Sequence, residues 1–502
     1  MAKDKHIIII GSGLGGLTCG YILAKNGYRV TILEKNAQVG GCLQTFTRDG
    51  IKFETGIHYI GSMDEGQILN RFFRYFNLLS AVPLSRLDTN GYDVISLDGQ
   101  RFPLANGDEN FVNTLSRFFP KERANLKNYC DYINKITDYS VFYSSKEQLQ
   151  NNFLKEPAFI RSASEFISSV TDNLLLRSVL SGQLPLYAGI ENKTPLYIHA
   201  LIHDFYNNSA FRIVDGSDII ATSLVDSIRA MGGEVLTRHK VIKINCDDAR
   251  ATSVSIEGEN REIAVDYIIS NLHPCRTLEL LDTHLIRKSY RNRINGLENT
   301  ISNLTVYIRF KENAIPYQNY NLYYSNDNDV WKNASSYAAE RFPLGFLYMH
   351  NCSELNQKYA RGAILMSYMS FDDVAKWQGT RIGHRGNEYE EFKQEKAEKL
   401  LDLLEQQVPG TRSAIAKYYT SSPLTYFDYT GTEKGSMYGI LADCQNMLNT
   451  KILPRTKIPN LLLTGQNINI HGILGVMIGS VITAGELIDT NNIIKYLHSN
   501  ER

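Results

Sequence analysis

The apolar and polar positions at the start of the chain form three successive patterns. Ile7–Ile10 is an unbroken apolar run of strand length, as expected of a strand buried on both faces. The small and apolar residues that follow suit a packed helix, with Gly27 as its stop, and Tyr28–Leu33 is a second β-rich run. The pattern predicts strand, tight turn, helix, strand. It returns near the C-terminus, where Leu461–Leu463 reads as a strand ending at Gly465 and Gly472–Ala484 as a glycine-rich helix. Residues 66–180 read as mostly helical, with amphipathic patches such as "EGQILNRFFRYFNLL". Leu304–Phe310, "YNLYYS" and Ala363–Ser370 read as strands of an antiparallel sheet. No internal repeat or low-complexity tract interrupts this order.

Composition removes several function classes. A chain of 502 residues can hold two or three domains and a large core. Its 43% hydrophobic and 21% charged residues are those of an ordinary globular protein. With a formal net charge of +0, no nucleic-acid partner and no anionic-membrane partner is implied by charge. The 7 cysteines are scattered, odd in number and without metal-ligand spacing, which predicts no metal site and a reduced, cytoplasmic setting. The N-terminal isoleucine run is too short for a signal h-region. The later run Gly472–Ile482, broken by Gly475, Gly479 and Ser480, falls short of the ~20 residues that span a bilayer. Peripheral contact with a membrane stays open.

The first strand leads into Gly11, Ser12, Gly13, Leu14, Gly15 and Gly16, which complete G-x-G-x-x-G. Gly11 permits the turn, Gly13 admits a pyrophosphate to the backbone, and Gly16 lets helix and strand pack closely. The helix N-terminus offers free N–H groups and the positive end of its dipole to phosphates. Glu34, with Lys35 beside it, ends the second strand about 20 residues on and can accept hydrogen bonds from ribose hydroxyls. A carboxylate at this position argues against a 2′-phosphate. Strand, glycines, helix, second strand and acid together specify a bound dinucleotide. The glycine pair Gly40–Gly41 resembles the flavoprotein group that includes amine oxidases and carotenoid desaturases, and makes FAD the expected cofactor. No second fingerprint marks a separate NAD(P)H domain.

The resemblance then narrows. "GGCLQTFTRDGIKFETGIHYIG" (Gly40–Gly61), "FRIVDGSDIIATSLVDSIRAMGGEVLTRHKVIKI" (Phe211–Ile244), "VDYIISNLHP" (Val265–Pro274), "SSPLTYFDYTGTEKGSMYGI" (Ser421–Ile440) and "NLLLTGQNINIHGILGVMIGSVITAGELI" (Asn460–Ile488) are similar to the retinol saturase (all-trans-retinol 13,14-reductase) family, with carotenoid isomerases and phytoene desaturases as more distant relatives. The resemblance implies an α/β fold: a Rossmann-type, glutathione-reductase-like FAD-binding domain from residues 1–65, 210–285 and 455–502. An α+β substrate domain would be inserted as residues 66–209 and 286–454. It implies an FAD-dependent oxidoreductase acting on CH–CH bonds, which saturates a C=C bond in a long apolar polyene or isoprenoid with a hydride from reduced flavin N5 and a proton from a nearby acid. Desaturation and reduced-flavin isomerisation are the near alternatives, and a non-catalytic lipid carrier is the distant one. An electron donor of unidentified kind is implied as a partner.

The same stretches extend the expected cofactor contacts to Cys42, Val241, Gly465, Gln466, Asn467, Gly472, Gly475 and Val476. Asn467 stands where the family has an acid and could still bond a ribityl or phosphate group. The Gly472 helix would point its N-terminus at the isoalloxazine and stabilise negative charge there. Proton donors are expected among His58, Tyr59 and Tyr438, with His471 near them. Cys42 is either a small residue beside the cofactor, a redox thiol or a flavin tether. Phe72, Phe73, Tyr75, Phe76, Phe118, Phe119, Tyr139, Phe142 and Tyr143 are either core or the rim of a lipid tunnel.

Overall fold

The computed structural model describes residues 5–140, 160–260 and 262–498. A five-stranded parallel sheet runs in the order Glu234–Leu236, Arg29–Leu33, His6–Ile10, Tyr267–Ser270, Leu461–Leu463. Its strands come from three distant parts of the chain. The central strand shows why its sequence carries no polar face. Ile7 and Ile9 pack into the core shared with the helices, while Ile8 and Ile10 pack into a second core on the opposite face. Each of these four is at most 4% exposed, and such burial stabilises by about 1.5–3 kcal/mol per side chain.

The helices Leu14–Lys25, Asp218–Ala230 and Gly472–Ala484 cover one face, with Leu14–Lys25 packed against both others. Thr18 Oγ1 and Ser480 Oγ, 2.7 Å apart, join the first helix to the last. An antiparallel sheet of Val241–Cys246, Ala251–Ile256 and Glu262–Ala264 covers the other face.

A seven-stranded sheet forms the second large layer, in the order Ile415–Ser421, Ser302–Phe310, Gly362–Met369, Gly345–His350, Asn321–Ser325, Asp93–Leu97, Gln100–Leu104. All neighbours are antiparallel except Asn321–Ser325 with Asp93–Leu97. Alternation sends Val306, Ile308, Tyr348 and Leu365 toward the Asn387–Gln407 helix. It sends Tyr307, Tyr323, Leu347 and Met366 toward the first core and the cavity described below.

One expectation needs correction, and one open alternative is resolved. Residues 66–180 are not mostly helical throughout, because the Asp93–Leu104 hairpin joins the seven-stranded sheet. Asp98 and Gly99 both take positive φ (51° and 72°), the hairpin turn that an Asp-Gly pair favours. The aromatic residues singled out around position 75 are core: Phe72, Phe73, Tyr75, Phe76 and Phe119 are each at most 6% exposed, and none lines the cavity. Phe118 is 41% exposed, at the edge of the Phe102–Phe119 stack. Phe142 and Tyr143, and the side chain of Tyr139, lie outside the described residues.

Candidate functional site

A cavity of about 780 Å³ runs from the ends of the parallel strands to the inner face of the seven-stranded sheet. Its size is that of a pocket for a cofactor-sized or drug-sized ligand. Gly11, Gly13, Leu14, Gly15, Glu34 and Lys35 line one end, followed by Gly40, Gly41 and Cys42. A Cβ on Gly16 would stand 2.1 Å from the Gly11 carbonyl oxygen, so helix and turn meet only because it is absent. Gly40 has φ +111° and donates its N–H to Ser12 O at 3.0 Å, which lays the glycine pair alongside the fingerprint turn. The Leu14–Lys25 helix begins at Gly13 with no side-chain cap, leaving first-turn N–H groups free for an anion.

Glu34 is held rigidly. Ser12 N–H (3.0 Å) and Ser12 Oγ–H (2.6 Å) donate to Oε2, and Asn36 N–H (2.8 Å) donates to Oε1. Ser12 therefore positions the acid and does not itself line the cavity. Lys35 Nζ donates to Asp428 O at 2.7 Å, and Asn36 Nδ2 to Tyr429 O at 2.9 Å, which fastens this strand end to the segment across the cavity.

Of the other expected contacts, Val241, Gly465, Gln466, Asn467, Gly472 and Val476 line the cavity. Gly16 and Gly475 do not; a Cβ on Gly475 would meet Ile470 Cγ2 at 2.2 Å, so this glycine serves packing. Asn467 Oδ1 accepts from Ile440 N–H at 2.8 Å, and so anchors the loop that carries Tyr438. The Gly472–Ala484 helix starts at the cavity without a side-chain cap, presenting its positive end to it. Cys42 Cβ lies 2.8 Å from where a Cβ on Gly56 would be, and burial pushes its thiol up to about 11. No cysteine of the described residues is in a disulfide.

The four expected proton donors all line the cavity but differ in their partners. Tyr438 Oη–H donates to Pro185 O at 2.8 Å, and its ring stacks on His471, 4.3 Å between centroids. His471 Nε2 lies 3.2 Å from Leu186 O, and burial brings its ring down to about 4, so it is neutral and donates there. His58 has a side chain 10% exposed, and both ring nitrogens lack a hydrogen-bond partner. Burial, reinforced by the Arg212 guanidinium, brings it down to about 4. Glu54 is 3.9 Å away, and its own carboxyl is raised by burial, so the two do not form an ion pair at neutral pH. Tyr59 is the member with an acid behind it: its hydroxyl lies 2.9 Å from Asp93 Oδ2 and 2.7 Å from Tyr323 Oη.

Sequence reasoning passed over several cavity residues. Asn271 follows the fourth parallel strand and wedges between Gly15 and Gly465. Asn303 and Tyr368 face each other on paired strands, and Asn303 Nδ2 and Tyr368 Oη are buried without partners. Tyr323, Leu347 and Met366 form the apolar wall beyond them. The period-two alternation of Ser302–Phe310 and Gly362–Met369 marks the inward set, but only the fold shows which face is inward.

The sequence pattern of the flavin containing amine oxidoreductases matches residues 14–486. The chain is 29% identical to the all-trans-retinol 13,14-reductase of Rattus norvegicus, over 96% of this chain and 86% of that protein. It is 23% identical to prolycopene isomerase 1 of an Oncidium hybrid cultivar, over 87% of this chain and 76% of that protein. A solved oxidoreductase from Methanosarcina mazei superimposes with a TM-score of 0.64 at 15% identity, covering 95% of this chain and 98% of that one.

Proposed function

The chain belongs to the flavin containing amine oxidoreductase family and is an FAD-dependent oxidoreductase, and on that premise we propose that it saturates a C=C bond in a long apolar polyene or isoprenoid. The observation that carries this reading is the continuity of one cavity. A dinucleotide cradle built on Gly13, Glu34 and Gly41 opens directly onto an apolar wall of Leu344, Phe346, Leu347 and Met366. A small polar substrate would have no use for that wall. The nearly full-length similarity to retinol 13,14-reductases supports the same substrate class.

The residues fit FAD. Uncapped helix N-termini at Leu14 and Gly472 suit the pyrophosphate and a reduced ring, and Glu34 suits the ribose. When bound and reduced, FAD supplies a hydride equivalent to one carbon of the alkene. The protein must orient the chain, exclude water and supply a proton to the other carbon. The sheet wall does the first two. The buried hydroxyls and histidines around Tyr59 hold protons in reach of the cavity. Among the described residues no helix is long and apolar enough to cross a membrane. Collection of substrate at a membrane surface and reduction by a separate electron donor are parts of the proposal.

The test is anaerobic turnover. Purified protein should show a flavin spectrum, and after dithionite reduction a retinoid or carotenoid should reoxidise it and gain the mass of two hydrogens. A product of unchanged mass and new retention time would replace saturation by isomerisation. A colourless protein that still binds polyenes would replace the enzyme by a carrier.

A further inference from the structure

Behind Tyr59 lies a buried acid, Asp93, whose Oδ2 is 2.9 Å from the Tyr59 hydroxyl. Asp93 opens the strand Asp93–Leu97 and is 0% exposed. Its parallel neighbour places Asn321 in register, and Asn321 Nδ2 donates to Oδ1 at 2.7 Å. Gln183 Nε2 donates to Oδ2 at 2.7 Å. Tyr59 Oη lies 2.9 Å from the same oxygen and 2.7 Å from Tyr323 Oη. Tyr59 and Tyr323 both line the cavity, and Asp93 does not.

We propose that Asp93, Tyr59 and Tyr323 form a proton wire, in which Tyr323 donates to the substrate carbon and Asp93 is the reservoir; the proposal rests on the saturase reading. Each phenol has one proton to donate. With Asp93 protonated, the acid donates to Tyr59 and Tyr59 to Tyr323. The proton of Tyr323 then has no hydrogen-bond acceptor within the wire and is free to turn into the cavity. With Asp93 ionised, the order reverses, and Tyr323 donates to Tyr59 and Tyr59 to Asp93. The two arrangements differ by one proton.

The step balances on that basis. A C–H bond forms at the substrate carbon as the Tyr323 O–H bond breaks. Tyr59 passes its proton to Tyr323, Asp93 passes its own to Tyr59, and Asp93 is left as a carboxylate to be reprotonated from solvent. The other carbon takes the hydride equivalent of the reduced cofactor, so the alkene gains two electrons and two hydrogens. Burial raises both phenols, which keeps them protonated until a strongly basic carbon is generated. The charged and titratable groups facing Asp93 are Arg212 from the strand Ala210–Ile213 and the phenols of Tyr59, Tyr92, Tyr206 and Tyr323. Burial, opposed by the bonds from Asn321, Gln183 and Tyr59, sets its carboxyl at about 6, where it can both give and regain a proton. Tyr438 and His471 lack this arrangement, since each points its proton at a backbone carbonyl.

The experiment is single-turnover reoxidation of dithionite-reduced holoenzyme by all-trans-retinol and by a carotenoid. Tyr323→Phe and Tyr59→Phe should each slow reoxidation by about 100-fold or more. The double variant should be no slower than the slower single one, because the residues act as a unit. Asp93→Asn should slow it and abolish the fall in rate that the wild type shows as pH rises through about 6, where Asp93 loses its proton. FAD content and the rate of dithionite reduction should stay at wild type in all. Tyr323→Phe within roughly threefold of wild type, or strictly additive losses, would overturn the wire. A second readout needs no substrate: the infrared carboxylic-acid band abolished by Asp93→Asn should titrate at higher pH in Tyr59→Phe, since the ionised form loses a donor. An unmoved titration also overturns the wire. Wild-type enzyme that no polyene reoxidises instead overturns the saturase reading, and the infrared shift then decides the wire alone.

Discussion

Asn271 Oδ1 lies 2.7 Å from the position a Cβ on Gly15 would occupy, and Gly465 Cα lies 2.8 Å from it. Three strand ends, from residues 10, 270 and 463, therefore meet at one point that only a glycine can fill. Gly15→Ala should push Asn271 and Gly465 apart and spread the cradle, at an overpacking cost of about 1–3 kcal/mol. Loss of bound FAD on gel filtration together with a lowered thermal midpoint is the expected outcome; full flavin content would refute the account.

Glu34 receives three donors, and a carboxamide has only one oxygen to offer them. Glu34→Gln should weaken FAD binding about tenfold to a hundredfold, the loss of roughly 1.5–3 kcal/mol from a charged hydrogen bond. Titration of apoprotein with FAD, followed by flavin fluorescence, measures this directly.

Met366 and Leu347 pair across adjacent strands at the apolar end of the cavity, remote from the fingerprint. Met366→Trp fills that end. FAD content should be unchanged, while the KM for a polyene rises about tenfold or the substrate-induced change in the flavin spectrum disappears. Unaltered polyene binding would show that the substrate lies elsewhere.

Cys42 is held as a neutral thiol by burial and packs against Gly56. Cys42→Ala should keep its FAD, and wild-type FAD should leave with denaturation in acid, because no covalent link is made. Alkylating reagents should leave Cys42 unmodified in the native state at neutral pH. A flavin that stays with the denatured chain would contradict this.

Six histidines are buried neutral: His58, His203, His273 and His471 at about 4, and His199 and His350 at about 3. A group whose folded value is depressed below 6.5 binds its proton more readily when unfolded. Stability is then lost as pH falls below about 6.5, by about 2 kcal/mol per histidine at about pH 5. Asp93, Glu54, Asp373 and Asp428, raised by burial, act in the opposite sense but are outnumbered. The urea midpoint should therefore fall steeply between about pH 6.5 and 4. A flat midpoint over that range would rule out neutral burial of these rings.

Much of the cofactor half was legible because its chemistry is local. A glycine at each tight approach, an acid at a strand end and apolar strands on either side are one-dimensional signals, and the observed bounds His6–Ile10, Arg29–Leu33 and Leu461–Leu463 follow them closely. The Asp93–Leu104 hairpin also carried a local signal, its Asp98-Gly99 turn, but a helical reading of the surrounding segment hid it. The aromatic run around Phe72 stood open between core and tunnel rim, since periodicity cannot separate a core ring from a tunnel-lining one, and burial makes it core.

The sequence alone determined the glycine-rich turn and the acid at the strand end, because each depends on backbone shape over a few residues, and the resemblance carried by Gly40–Gly41 pointed to FAD. Tertiary structure decided which hydroxyl can receive a proton from an acid. Tyr59, Asp93, Gln183, Asn321 and Tyr323 lie on separate elements, and no spacing along the chain encodes a 2.7 Å contact between residues 264 positions apart. Burial then does what composition cannot: it raises Asp93 toward neutrality and strips His58 of its charge.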